Sequence, residues 1–292
     1  MVKRSDPEQH YRDRVARVVA AIVSDPTAAH GLDGLAAIAH FSPFHFHRIY
    51  RGITGETVAA TVRRLRLARA AQLLAAGDES VTQVGMAVGY DSPQAFSRAF
   101  REFVGIAPRA FQRQRGFAGL ELVAQPPDGA ARGPRELAVE LVERAPQRVQ
   151  ALVHRGPAST IAHTWWCLMQ TAGRWPVRGR LGIARGDGVE GVDSPDGGFE
   201  YHAAVVLEGG PPETGVLVPV EVAGGRYAQH RLVGPYTQIN AAIGALYSVW
   251  LPHSGFEPDD RPVLEVYHSA PETAPQDLRT DLLIPIRELR PG

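Results

Sequence analysis

The sequence predicts two domains of different fold class. The first is an all-α domain with tandem helix-turn-helix units, and the second is an α+β domain built from two strand-helix-strand-strand repeats. The chain has 292 residues, a length typical of two domains. Helix start signals dominate its first part, and alternating apolar strand patterns dominate its last part. The predicted boundaries are 1–116 for the helical domain, 117–136 for a Pro-, Gly- and Ala-rich linker, and 137–292 for the second domain.

Composition favours a soluble cytoplasmic protein. The single cysteine, Cys167, cannot form a disulfide within the chain. The charged N-terminal segment lacks the apolar stretch of a signal peptide, and an 18-residue apolar run is absent, so no membrane partner is expected. Residues 1–116 contain 16 basic and 10 acidic residues, whereas the remainder contains 15 and 21. This opposite net charge predicts different partners for the two halves.

Helix signals follow one another through the first domain. Asp33 is a candidate N-cap for a short helix. Residues 56–76 contain no helix breaker and predict a long helix that ends at Gly77. Further start signals, each a capping residue or a Ser-Pro or Asp-Pro pair, are present at Asp6, Ser42, Ser80 and Ser92.

One segment of this domain is repeated. SPFHFHRIYRGITG (42–55) aligns with SPQAFSRAFREFVG (92–105) at an offset of 50, with Ser, Pro, Phe, Arg and Gly in the same places. A short helical pattern precedes each copy, which predicts two helix-turn-helix units. The 21-residue helix between them would span about 31 Å. That length is close to the roughly 34 Å between successive major grooves on one side of DNA, so the two units would suit two consecutive grooves.

The second unit and the residues after it, VGMAVGYDSPQAFSRAFREFVGIAPRAFQR, resemble the signature of AraC-type DNA-binding domains. The resemblance covers about residues 8–115. Gly85 stands where the family usually has Ala, a change that costs up to about 1 kcal/mol of helix propensity. The resemblance implies a sequence-specific transcription regulator whose partners are double-stranded DNA and RNA polymerase. It implies no catalytic residue, metal or cofactor.

The resemblance also implies which side chains contact DNA. Arginine can pair with guanine, glutamine with adenine, and an aromatic edge can pack on a thymine methyl. The implied base-reading residues are Phe44, His47 and Arg48 in the first unit and Gln94, Ser97 and Arg98 in the second. Arg51 and Arg101 are assigned to phosphate contacts, which position the domain without reading sequence. A structural salt bridge is the alternative role for Arg48 and Arg98.

His45 and His47 raise the alternative of a metal site. On a helix, residues two apart point in different directions, and a metal pair favours a spacing of four. No carboxylate or cysteine lies nearby in the sequence to complete such a site. Ordinary surface residues are a further alternative, but contacts of a DNA-recognition helix are the favoured interpretation. On that helix, Phe46, Ile49 and Tyr50 would form the buried face.

The second domain also contains a repeat. RGPASTIAHTWWCLMQ (155–170) aligns with VGPYTQINAAIGALYS (233–248) at an offset of 78, and strand-like runs flank both copies. The helical stretches are predicted at 158–172 and 236–250. Each copy would supply a strand, a Gly-Pro turn, a helix and further strands. Two copies predict one antiparallel sheet with both helices on one face and a groove on the other.

The runs PVLEVY and LRTDLLIPI near the end of the chain, together with the Gly-Pro turns, resemble gyrase-inhibitor-like (GyrI-like) effector-binding modules. The resemblance covers about residues 137–290. It implies a small-molecule effector, with lipophilic cations among the ligands, and a buried glutamate at Glu265 facing an aromatic pocket. A surface carboxylate is the alternative for Glu265. Candidate pocket walls are Trp165, Trp166, Tyr201, Tyr227, Tyr236, Trp250 and Tyr267.

Enzyme motifs are weak in this sequence. GDGVEG (186–191) matches a dinucleotide-binding pattern, but the residues after it, VDSPDGGF, do not predict the helix that such a site needs. The segment is therefore predicted to be a loop, and the chain is predicted not to be an enzyme. The alternatives are a small-molecule hydrolase or drug-sequestering protein that uses the GyrI-like pocket, and a second domain that binds only a protein partner.

Overall fold

A computed structural model describes residues 7–113, 137–155, 158–173, 175–185, 200–208, 215–270 and 272–289. The chain forms two compact units. One contains Gln9–His40 and the helices that follow Ile53, and the other joins Phe41–Gly52 to the C-terminal strands. The predicted linker and the predicted GDGVEG loop lie outside the described residues. Within those residues, no helix is both long and apolar enough to cross a membrane.

The described part of the first 113 residues is helical. Its helices are α1 (Pro7–Ser24), α2 (Leu32–Ala39), α3 (Pro43–Thr54), α4 (Val58–Ala76), α5 (Val81–Ala87), α6 (Pro93–Val104) and α7 (Pro108–Arg113).

Most of the predicted helix ends agree with the structure. Thr57 caps α4 by accepting a hydrogen bond from the Ala60 backbone N–H, and Gly77 ends it in the left-handed conformation at φ 82°. The capping box predicted from Ser80 is present at α5. The prediction for Asp33 was wrong, because the N-cap of α2 is Gly31, two residues earlier, and Asp33 lies within the first turn.

Helices α4 to α7 share one apolar core. Its buried members include Leu67, Leu74, Val84, Phe96, Phe100 and Phe111. Gly85 of α5 lies directly against Phe96, and a Cβ atom at this position would be 2.9 Å from the phenyl ring. The glycine therefore gives the ring room, which explains why a residue of poor helix propensity occupies a buried helical position.

The C-terminal region combines strands with two main helices. The strands are β1 (Glu140–Arg144), β2 (Gln147–Val153), β3 (Val177–Arg185), β4 (Glu200–Leu207), β5 (Val218–Val222), β6 (Gly225–Val233), β7 (Phe256–Pro258), β8 (Val263–Tyr267) and β9 (Arg279–Glu288). The helices are α8 (Ile161–Ala172) and α9 (Ile239–Ala245), and a π-helical turn over Leu246–Trp250 extends α9. Both helices lie within the stretches that the sequence predicts as helical.

The sheet is antiparallel and internally symmetric. Its strand order is β1-β6-β9-β8-β3-β4-β2-β5, and β7 pairs with the end of β9. Exchanging β1 with β5, β2 with β6, β3 with β8 and β4 with β9 reproduces the same order in reverse. The predicted repeat is therefore present as a pseudo-twofold arrangement, and the pair β3–β8 lies at its centre.

The two faces of the sheet are filled differently. Helix α8 covers the first face, where Leu168 packs among Tyr201, Ala203 and Val205 of β4. The second face carries an apolar core from strands at both ends of the order, with members such as Val149, Leu181, Tyr227, Leu264 and Leu283. Core side chains, rather than the predicted groove, occupy this second face.

Candidate nucleic-acid interface and effector site

Helix α6 presents a polar stripe to solvent. Its N-cap Ser92 accepts a hydrogen bond from the Ala95 N–H at 3.2 Å, and Phe96, Ala99 and Phe100 turn into the core. The four predicted DNA contacts follow the helix at spacings of three and four residues, so they share one face. Gln94, Arg98 and Arg101 are exposed, and Ser97 is half-buried. This face has the donors and the positive charge that a DNA-reading helix needs.

Helix α3 has the matching sequence but a different environment. Phe46, Ile49 and Tyr50 are fully buried, as the helical spacing predicts. His47 and Arg48 are buried as well, with exposed fractions of 7% and 9%. The predicted phosphate contact Arg51 is exposed, while the side chain of Phe44 is outside the described residues. Two of the predicted base-reading side chains are thus covered here.

The cover on α3 includes the π-helical turn that follows α9. His45 Nδ1 and the Tyr247 hydroxyl share a hydrogen bond of 2.7 Å, and the two rings stack at 5.7 Å between centroids. The Arg48 guanidinium lies 5.6 Å from the centre of the Tyr247 ring, within cation–π range. Gly52 approaches the backbone of Ser248 so closely that an added Cβ would be 2.6 Å from the Ser248 Cβ. Glycine permits this approach.

Burial fixes the charge state of His45. Desolvation, reinforced by the positive charge of Arg48, lowers the pKa of His45 to about 4, although Asp259 and Asp260 act in the opposite direction. The imidazole is therefore neutral at neutral pH. Among the described residues, no three His, Cys, Asp or Glu side chains come together in a group that could hold a metal ion.

The C-terminal site centres on Glu265 of β8, a carboxylate that is 7% exposed. The Tyr201 hydroxyl donates a hydrogen bond of 3.1 Å to its Oε2 atom, and the Tyr267 hydroxyl donates to the same oxygen. Trp165 Nε1 donates in turn to the Tyr201 hydroxyl at 3.0 Å. This network supplies hydrogen bonds to a carboxylate that burial has separated from water.

A glycine makes this network possible. Gly182 of β3 is the cross-strand partner of Glu265 in the central pair. A Cβ at Gly182 would be 2.4 Å from the Tyr201 hydroxyl and 2.7 Å from Glu265 Oε2. One half of the pseudo-symmetric sheet therefore supplies the carboxylate, and the other supplies the space for it. Sequence reasoning missed Gly182, since its role depends on strand register that pairs it with a residue 83 positions later in the chain.

Electrostatics sets the charge states in the site. Burial raises the pKa of Glu265, while the hydrogen bonds from Tyr267 and Tyr201 and the positive charge of Arg48 act against that rise. Burial and the adjacent carboxylate raise the pKa of both tyrosines well above the ordinary value. The tyrosines therefore stay protonated and remain donors. A buried carboxylate of this kind gains most from a ligand that brings positive charge.

Aromatic rings extend the site toward the surface. The Trp165 and Tyr236 rings meet the Tyr267 ring edge-on, at centroid distances of 5.1 and 5.2 Å. Tyr236 is 43% exposed, so the ring cluster reaches solvent. We refer to Glu265, Tyr201, Tyr267, Trp165 and Tyr236 as the Glu265 cluster. Its carboxylate floor and aromatic rim suit a flat, positively charged molecule.

Three candidate walls lie elsewhere. Trp166 is 60% exposed and stacks on His163 of the same helix. Tyr227 lies under the Arg261 guanidinium at 4.4 Å and donates to a backbone carbonyl. Trp250 stacks on Phe256 at 6.4 Å.

The choice between the adjacent tryptophans had a signal in the sequence. Trp165 continues the helical stripe of Ile161, Leu168 and Ala172, which packs on the sheet. Trp166 is rotated by about 100° from that stripe.

Comparisons with known proteins match both halves of the chain. A model for a helix-turn-helix domain matches residues 35–114, and a model for the GyrI-like small molecule binding domain matches residues 137–287. The MmsAB operon regulatory protein of Pseudomonas aeruginosa is 45% identical over 84 residues, which is 29% of this chain and 27% of the relative. The alignment thus spans about a quarter of the relative's length.

Two solved structures are also similar to parts of this chain. A transcriptional regulator from Chromobacterium violaceum, described as AraC-type, is 27% identical, with 37% of this chain and 96% of that chain covered and a TM-score of 0.35. The structure of SAV2435 bound to tetraphenylphosphonium is 13% identical, with 52% of this chain and 94% of that chain covered and a TM-score of 0.40.

Proposed function

Since the chain belongs to the family of GyrI-like small molecule binding domains and carries an AraC-type helix-turn-helix domain, we propose that it is a DNA-binding transcription regulator controlled by a small cationic effector. Residues 1–116 bind duplex DNA, and residues 137–292 bind the effector. The regulator works in the cytoplasm and acts on RNA polymerase at its promoters. The C-terminal site binds the effector and does not turn it over.

The Glu265 cluster carries this proposal. Its carboxylate is buried on the face of the sheet that α8 covers, and two tyrosine hydroxyls hold it in place. Aromatic rings continue from the carboxylate to the half-exposed Tyr236. A cation restores the electrostatic stabilisation that the carboxylate loses on burial, and it also gains about 0.5–2 kcal/mol from each close ring face. A neutral molecule of the same shape gains only the apolar contact.

The exposed face of α6 supports the assignment to DNA. Gln94, Arg98 and Arg101 lie on one side of a helix whose opposite side is held in the core. Their chemistry suits base edges and phosphates. Duplexes selected by the full-length protein from a random library, with and without effector, would give the recognition sequence.

The effector site can be tested with a matched pair of ligands. 1-Methylquinolinium and 1-methylnaphthalene have the same shape and differ in charge. Calorimetry on the full-length protein should show at least tenfold tighter binding of the cation, because only the cation gains from the carboxylate. Glu265→Gln keeps the side-chain volume and should remove that preference. The cation should also be recovered chemically unchanged after incubation.

Glu257 offers the control. It is a second buried glutamate, but it lies on β7 and pairs with Arg287 at the end of β9, at 2.9 Å. Glu257→Gln should therefore leave the preference for the cation intact. Equal binding of the two ligands by the wild-type protein would contradict a cation site at Glu265. Steady hydrolysis of a ligand would instead favour the enzyme alternative.

A further inference from the structure

The Glu265 carboxylate has two sides along the central strand pair. On one side, the paired residues Arg180 and Tyr267 lead to the aromatic rim. On the other side, the next inward-facing pair is Ala184 and Val263. Paired residues of an antiparallel sheet project to the same face, so this pair borders the carboxylate directly.

That second side is occupied by α3. His45 and Arg48 line one cleft together with Ala184 and Val263, and Arg185, Arg261 and Pro262 complete it. Arg48, one of the predicted base-reading residues, therefore lies beside the strand pair that holds Glu265. Its positive charge acts on the buried carboxylate and favours the ionised form. Arg48 thus places a positive charge on the side of the carboxylate that lies opposite the aromatic rim.

Further contacts hold α3 in this position. Tyr247 hydrogen-bonds to His45 and lies beneath the Arg48 guanidinium. Gly52 meets the backbone at Ser248, and near the start of α1 Glu8 pairs with His253 at 3.1 Å. The contacts involve side chains and backbone along much of α3. In the same arrangement His47 and Arg48 are buried.

We propose that this arrangement is an autoinhibited form, in which Arg48 serves as the internal cation of the Glu265 site and α3 is withheld from DNA until an effector cation takes that role. This inference rests on the proposed function of the cluster as a cation site. An effector that enters from the aromatic rim neutralises the carboxylate from its other side. Arg48 then loses its attraction to the cleft, and α3 is released with its base-reading side chains.

The coupling must act in both directions. If the effector favours release of α3, then removal of Arg48 must favour the effector, because the two cations compete for one carboxylate. Couplings between sites typically change affinity by 5- to 150-fold. We call the contacts that hold α3 against the C-terminal region the seat of α3. Any change that weakens these contacts should therefore raise DNA affinity in the absence of effector.

Gly52→Ala tests the seat of α3 in the full-length protein. The new Cβ meets Ser248, and alanine otherwise suits a helix. Affinity for the selected duplex, measured by fluorescence anisotropy without effector, should rise at least fivefold. Gly34→Ala is the matched control, because a Cβ there has open space and should leave DNA affinity unchanged. Tyr247→Phe, which removes the hydroxyl that is hydrogen-bonded to His45, is a second variant that keeps the ring and should raise affinity in the same direction.

Arg48→Gln tests the internal cation without any DNA. Calorimetry should show 1-methylquinolinium binding at least fivefold more tightly than to the wild-type protein, while 1-methylnaphthalene binds equally to both. Unchanged cation affinity in this variant would overturn the role of Arg48. Unchanged DNA affinity in both Gly52→Ala and Tyr247→Phe would overturn autoinhibition.

The cation site and the autoinhibitory coupling can be disproved separately. If no variant binds the cation, the proposed cation site fails, and release by a cation fails with it. The comparison of Gly52→Ala with Gly34→Ala then decides separately whether the seat of α3 restrains DNA binding. If the cation binds through Glu265 but leaves DNA affinity unchanged in the wild-type protein, the cation site stands and the autoinhibitory coupling is overturned.

Discussion

Helices α3 and α6 begin with the same Ser-Pro pair and repeat Phe and Arg at the same positions, yet their polar faces meet different surroundings. Arg98 on α6 is exposed, whereas the equivalent Arg48 on α3 is 9% exposed and lies over the Tyr247 ring. Phe46 and Phe96, which mark the inward faces, are both fully buried. The repeated motif therefore determines the inward face of each helix, while partners far along the chain determine what meets the outward face.

The largest contrast should be seen in DNA affinity. Arg98→Ala removes a contact from an exposed helix and should weaken binding to the selected duplex by about 5- to 150-fold, equivalent to about 1–3 kcal/mol. Arg48→Ala should cost clearly less in the full-length protein without effector, because α3 is withheld from DNA there and Arg48 has little base contact to lose. Anisotropy titrations at one salt concentration compare the two variants. Equal losses would show that both helices are equally available to DNA.

This contrast also shows the limits of the sequence. The repeat, the helix caps at Thr57 and Ser80, and the inward faces of α3 and α6 depend on local patterns, and all could be predicted. The hydrogen bond from Tyr247 to His45 joins residues 202 apart in the chain, and no local pattern contains it. The sequence predicted exposed base-reading residues on both helices, but Arg48 on α3 is buried and lies near Tyr247 of the C-terminal region.

The effector site divides in the same way. Glu265, Tyr201 and Tyr267 were among the predicted residues, and the structure brings them together. Gly182 could not be found, because its importance comes from strand register. Tyr227 was a candidate because of its ring, but strand alternation places it in the core of the second face.

Acid pH should release α3 but leave α6 in place. His45 has a pKa of about 4 in its buried position, and this returns to about 6.5 when α3 is released. The released form therefore binds the extra proton, so the seat of α3 is fully stable above pH 6.5 and weakens as the pH falls toward 4. At pH 5.5 the release equilibrium should rise about tenfold. Hydrogen exchange, corrected for its intrinsic pH dependence, should show faster exchange in α3 alone.

His45→Gln is the control for this pH effect. The variant has no imidazole, so the exchange of α3 should lose its dependence on pH in this range. Arg48, Asp259 and Asp260 are the charged groups that act on this imidazole. Acceleration in the variant equal to that in the wild-type protein would assign the effect to another group.

Two glycines offer a smaller contrast in stability. Gly85→Ala adds a Cβ against Phe96, and the cost of overpacking, about 1–3 kcal/mol, should exceed the gain in helix propensity of up to about 1 kcal/mol. Gly34→Ala meets open space and should stabilise the protein by up to about 1 kcal/mol. Chemical denaturation of the full-length variants compares their free energies of unfolding. A stabilised Gly85→Ala would show that Phe96 moves without cost.

The smallest expected effect is on the salt dependence of DNA binding, and it compares the phosphate contacts of α3 with those of α6. Arg101→Ala should weaken DNA binding uniformly across sequences and reduce the slope of log affinity against log salt by about 1. Arg51 is exposed like Arg101, but it lies on a helix whose neighbouring base-reading residues are buried. Arg51→Ala should therefore leave the slope unchanged in the wild-type background and reduce it by about 1 in the Gly52→Ala background, where α3 is free. Gln94→Ala, which removes a base contact, should change sequence preference but leave the slope unaltered. A full reduction by Arg51→Ala in the wild-type background would mean that α3 already contacts phosphate without release, and the contrast between the two helices would not extend to DNA binding.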